Sequence, residues 1–78
     1  MKQNNMDKEE LRTIVLLKYP IPHDYFSLWD CFAVYPESAK DKITLDWPYH
    51  YRGDSNEFWK FCNILIIDIL CEYEEKLK

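Results

Sequence analysis

Five cysteine and histidine side chains could act as nucleophiles or metal ligands: Cys31, Cys62, Cys71, His23 and His50. Metal-binding segments hold such residues at short, regular intervals, and neither C-x₂-C nor H-x₃-H spacing occurs among these five. No metal site is expected. No Gly-rich phosphate loop and no G-x-S-x-G turn is present either, so the residues call for no cofactor. A Cys–His pair can meet in space without being close in sequence. However, a 78-residue chain has little room for both a scaffold and a pocket of the usual ~300–1,000 Å³. The expectation is therefore a protein with no catalytic residues, not an enzyme. Arg52-Gly53-Asp54 spells an adhesion tripeptide, but linker and helix cap describe it better.

Carboxylates next to large aromatics recur: Asp24-Tyr25, Trp29-Asp30 and Asp46-Trp47. Asp24, Asp30 and Asp46 could pair for acid–base work, or simply keep an aromatic-rich domain in solution. A third reading is recognition. Tyr and Trp bring large contact area with few rotors to freeze. An adjacent Asp can add charge-assisted hydrogen bonds to Arg or Lys and speed the encounter. The partner-binding set on that reading is Asp24, Tyr25, Trp29, Asp30 and Asp46.

Charge points the same way. The net charge is −4, and residues 19–54 carry three Lys/Arg against six Asp/Glu. Direct nucleic-acid or anionic-membrane binding needs a basic face and is not expected; a basic protein partner is. Hydrophobic residues make up 47% of the chain, which sets it apart from disordered segments. One domain over residues 1–78 is expected, with residues 1–6 frayed. The polar start is followed by no apolar run of signal-peptide type, and three cysteines are an odd number. A cytoplasmic protein with free thiols is the expectation. Residues 63–71 form an apolar run that is too short to span a bilayer and contains Asp68.

These residues must be placed by elements. Asp7 and Glu10 have capping-box spacing, and Leu11, Ile14, Val15 and Lys18 share a helical face, so a helix is expected over Asp7–Lys18. A strand over Thr13–Tyr19 is the rival, since Thr13-Ile14-Val15 is β-branched. Pro20 and Pro22 end the run. His23-Asp24 can cap a second helix over Tyr25–Phe32, with Phe26, Trp29 and Phe32 or Ala33 on one face; a strand over Cys31–Tyr35 competes. Pro36–Lys42 is expected to be a polar loop. Lys42–Trp47 alternates Ile43, Leu45 and Trp47 with polar residues, the period of a half-buried strand. Asp54 and Glu57 form another capping-box pair ahead of a long helix near Ser55–Lys76. Phe58, Phe61, Cys62, Leu65, Ile69 and Tyr73 make its core face, widened by Trp59, Ile66 and Leu70. Glu72–Lys78 is expected to be a solvated tail. The fold class expected is α+β.

Glu9-Glu10-Leu11, Pro22, Asp24-Tyr25, Leu28-Trp29-Asp30-Cys31 and Ile43–Trp47 resemble the barstar-type ribonuclease inhibitors. The resemblance implies a protein that blocks a basic ribonuclease with a loop and a helix, using carboxylates in place of substrate phosphates. Asp30 would then be the main carboxylate, Trp29 its packing neighbour and Tyr25 part of the loop. The chain departs from that pattern in the missing Gly and Asn after Tyr25 and in its charged end. The function expected is a small acidic inhibitor, of immunity or phage anti-defence type, that occludes a basic nuclease or nucleic-acid-binding enzyme. The alternative is an assembly protein, a homodimer subunit or adaptor using the C-terminal helix.

Overall fold

The computed structural model describes residues 7–50 and 55–77. Four helices follow in order: α1 Lys8–Lys18, α2 Tyr25–Phe32, α3 Glu37–Asp46 and α4 Asn56–Lys76. Among the described residues there is no strand, so the α+β expectation is overturned and the fold is all-helical.

The first two helices begin and end where local chemistry dictates. Asp7 accepts from the Glu10 backbone N–H at 2.8 Å and so satisfies one of the donors that a helix start leaves open. The β-branched Thr13 fits because its hydroxyl donates to the Glu9 carbonyl at 2.9 Å. Leu11 and Val15 are buried. Tyr19 closes α1 with its N–H on the Val15 carbonyl at 2.8 Å, and Pro20 follows. Asp24 and Ser27 cap α2 reciprocally. The rival strands over Thr13–Tyr19 and Cys31–Tyr35 do not form.

The main correction concerns residues 36–47. Both the polar loop over Pro36–Lys42 and the strand over Lys42–Trp47 are replaced by α3. Pro36 stands at the N-cap position, where it loses nothing by having no N–H, and its carbonyl accepts from Lys40 N–H at 2.9 Å. Tyr35, Ala39, Ile43 and Trp47 recur every fourth residue, the spacing of a helical stripe. The first three are buried and Trp47 packs half-buried beside them. Leu45, the centre of the apparent alternation, is 82% exposed.

At about 31 Å by its helical rise, α4 is the wall on which α1 and α3 pack. Ser55 caps it, accepting from Phe58 N–H at 3.1 Å; Asp54 and the rest of the Arg52-Gly53-Asp54 stretch lie outside the described residues. The buried stripe is Phe58, Trp59, Cys62, Ile66, Ile69 and Leu70. It is rotated from the expected face: Phe61 is 44% exposed and Leu65 only half-buried. Contact with helices on two sides widens the buried arc and shifts its centre. The helix reaches Lys76 as expected; of the expected solvated tail, Glu72, Glu75 and Lys76 are exposed, but Glu74 is buried. The Glu74 Oε2 atom accepts from the Tyr19 hydroxyl at 2.7 Å and from Lys18 Nζ at 2.9 Å. Burial, then the neighbouring Glu74 carboxylate, hold the Tyr19 phenol well above its ordinary pKa. Pro22 is fully buried, and the Tyr35 hydroxyl donates to the Pro20 carbonyl, which ties the α1–α2 connection to the start of α3.

Candidate functional site

Tyr25 opens α2 with its ring edge-on to Trp59, centroids 5.1 Å apart, and tilted against Phe58 at 6.0 Å. Trp47, just past α3, stands edge-on to the same two rings at 6.2 and 5.9 Å. Phe58 and Trp59 at the start of α4 therefore fix one wall residue from each neighbouring segment. Edge-to-face pairs of this kind add stabilisation beyond area alone.

Between the two walls runs an apolar groove of about 260 Å³. From α2 it is lined by Tyr25, Leu28, Trp29 and Phe32, and from α3 and the following turn by Ile43, Thr44, Trp47 and Tyr49. The Tyr49 hydroxyl donates to the Thr44 carbonyl at 3.2 Å, and its N–H donates to the Trp47 carbonyl at 2.8 Å. These bonds hold the turn at the groove's α3 side.

The expected binding residues separate into groups. Tyr25 and Trp29 lie together in the groove wall, with Trp29 70% exposed. Of the α2 face expected to carry Phe26 and Trp29, Phe26 is 88% exposed, while Leu28 and Cys31 turn to the core. Asp30 follows Phe26 by four residues on that outer face and is exposed. Asp24 is turned back as the α2 cap. The Ser27 backbone N–H donates to its Oδ1 at 2.7 Å. That bond, helped by the Ser27 hydroxyl, holds the Asp24 carboxyl below its ordinary pKa. Asp46 is exposed; Lys42, one turn earlier, reaches α4 and bonds Glu72 at 2.8 Å, which raises its ammonium pKa. Asp24 is therefore engaged as a cap, while Asp30 is the exposed carboxylate that shares a helical face with the exposed Phe26. Ile43, Thr44, Trp47 and Tyr49 were not expected as site residues, because they converge only when residues 37–46 are helical.

No protein family, curated protein or solved structure is found that the chain matches.

The thiols are poorly placed for chemistry. Burial pushes Cys62 up to about 11 and raises Cys31 and Cys71 as well, whereas a reactive cysteine needs its thiolate. Among the described residues no group of three or more His, Cys, Asp or Glu side chains could hold a metal ion. No helix among them is long and apolar enough to cross a membrane. What the groove offers is a preformed apolar surface, with Asp30 exposed on the neighbouring face of α2.

Proposed function

We propose that this chain is a small acidic binding protein that inhibits another macromolecule by laying its α2–α3 face over a basic site. The observation that carries this reading is the outer face of α2. Phe26 and Trp29 are 88% and 70% exposed, beside a groove already walled by fixed aromatic rings. Large exposed aromatics with little freedom to lose are characteristic of binding hot spots. The surrounding charge suits a basic partner: residues 19–35 include Asp24 and Asp30 and no Lys or Arg. A basic nuclease or nucleic-acid-binding enzyme is the target class, and immunity and phage anti-defence proteins are the kinds of inhibitor that act this way. We place the protein in the cytoplasm, on its odd number of free cysteines; the chemistry is the partner's alone.

The test is a capture from a source-matched lysate with the parent chain and Trp29→Ala side by side. The expected result is a basic enzyme held by the parent, released by Trp29→Ala at unchanged melting temperature, and inhibited on adding the parent. Equal capture by both chains, or a captured enzyme that keeps full activity, would overturn the reading.

A second reading, assembly, is favoured by Phe61 and Ile64, 44% and 57% exposed along α4. A dimer in light scattering that Ile64→Glu converts to monomer would support it over inhibition.

A further inference from the structure

The α2–α3 face joins two surfaces of different chemistry. On one side of Trp29 lies the groove, whose volume of about 260 Å³ is below the ~300–1,000 Å³ that drug-sized ligands and cofactors occupy. Its lining is almost wholly apolar, so its natural occupant is a bulky apolar side chain. On the other side lie Phe26 and Asp30. They are four residues apart, hence neighbours on one helical face, and both are exposed. Among the described residues Asp30 forms no ion pair. The two cations of α3 are committed elsewhere, Lys40 to Glu37 at 3.3 Å and Lys42 to Glu72 at 2.8 Å.

We propose that this face takes a basic segment of a protein partner. One bulky apolar side chain enters the groove, and a neighbouring Arg crosses Trp29 to lie on Phe26 and pair with Asp30. The proposal rests on the protein-binding reading above and names the chemistry of its partner. Charge complementarity selects this occupant. A second copy of the chain would bring its own net charge of −4 and set Asp30 among like charges. A guanidinium is suited to both halves of the second surface at once: it stacks on aromatic rings and meets carboxylates with paired donors. The walls are preorganised by their contacts with Phe58 and Trp59, so few rotors remain to be frozen on binding.

The test is an NMR titration of the full chain with three synthetic peptides. The first carries a Leu flanked by Arg, the second replaces Arg by Glu, and the third replaces Leu by Ser. The first should shift the Trp29 indole together with Thr44 and Tyr49, and the other two should bind roughly tenfold or more weakly, the loss expected for a charge-assisted bond or a buried apolar side chain. Asp30→Lys, on an exposed position, should reverse the preference to the Glu peptide. Thr44→Trp should fill the groove and abolish the shift, with the melting temperature checked for both variants; Asp30→Asn and Thr44→Phe serve if either misfolds. Equal binding of all three peptides would overturn the proposal. So would groove resonances that move with protein concentration alone, which would mark a second copy as the occupant. The two readings fail separately. A captured enzyme that depends on Trp29 but is indifferent to Asp30→Lys and Thr44→Trp removes the Arg-flanked anchor and leaves inhibition standing. An enzyme indifferent to Trp29 as well removes both.

Discussion

Tyr19→Phe deletes one oxygen and should cost more than most surface changes. The Tyr19 hydroxyl donates at 2.7 Å to Glu74, whose side chain is 5% exposed. A hydrogen bond to a charged group contributes about 1.5–3 kcal/mol, and a buried acceptor left short of a donor bears the desolvation penalty. Lys18 stays on the same carboxylate, but its side chain is 50% exposed, so solvent screening limits what it restores. The expected loss is about 2 kcal/mol. At ~0.05–0.15 kcal/mol per residue the whole chain holds about 4–12 kcal/mol, so a sixth to a half of it is at stake. For a domain of this size each kcal/mol moves Tm by about 4–8 °C, which gives a drop of about 8–16 °C in a circular-dichroism melt. Glu74→Gln supplies the control. It keeps an acceptor for Tyr19 but removes the charge, and on that background Tyr19→Phe should cost only about 1 kcal/mol, the range of neutral bonds. An unmoved Tm for Tyr19→Phe, or the same cost on both backgrounds, would refute the claim that this charged bond fastens α1 to the end of α4.

Leu70→Ala, at a side chain with no exposure, should cost ~2–5 kcal/mol, while Leu65→Ala should be milder; urea midpoints rank the two. Asp24→Ala should lower Tm through the lost cap, whereas Asp30→Ala should leave Tm unchanged and weaken partner binding; melting and affinity are measured on both. The pH profile of stability should have two limbs. Asp24 and Glu72 are lowered from 3.8 and 4.5 by the Ser27 and Lys42 bonds, so their contribution is complete above those values and lost as pH falls through the depressed ones. Cys62, Tyr19 and Tyr35 are raised by burial from 9.0, 10.0 and 10.0. Their contribution is complete below those values and is lost as pH rises above them, and tyrosinate absorbance from Tyr19 and Tyr35 should appear only with unfolding.

The legible parts of the chain were those settled by neighbours in sequence. Asp7, Asp24 and Pro20 mark the limits of α1 and α2 because caps and breakers act within a turn. The body of α4 could be read from its length of apolar residues. The third helix was hidden by a short window: Lys42–Trp47 alternates, and only a view from Tyr35 to Trp47 shows the fourfold spacing of Tyr35, Ala39, Ile43 and Trp47. On α2 the shared face of Phe26 and Trp29 could be read, but not which side packs inward; Leu28 and Cys31 are inside. Tyr25, Trp29 and Asp30 could be found as neighbours in sequence. Their counterparts Thr44 and Tyr49 could not, because the groove exists only when α3 is helical. The Asp24–Ser27 capping pair was readable and would have moved Asp24 from binding to folding.

The three indoles stand in three different environments, and this has an optical consequence. Trp29 is 70% exposed and Trp59 is 6% exposed, while Trp47 is half-buried with its ring 6.2 Å from that of Trp59. A water-soluble quencher such as iodide should reach Trp29 first, so the quenchable fraction of the emission reports whether the α2 face is covered. The close, crossed rings of Trp47 and Trp59 should dominate the near-ultraviolet circular dichroism, a signal that vanishes when the rings lose their fixed angle. Occupancy and unfolding can thus be followed in the same cuvette through separate channels, with no label added to the chain.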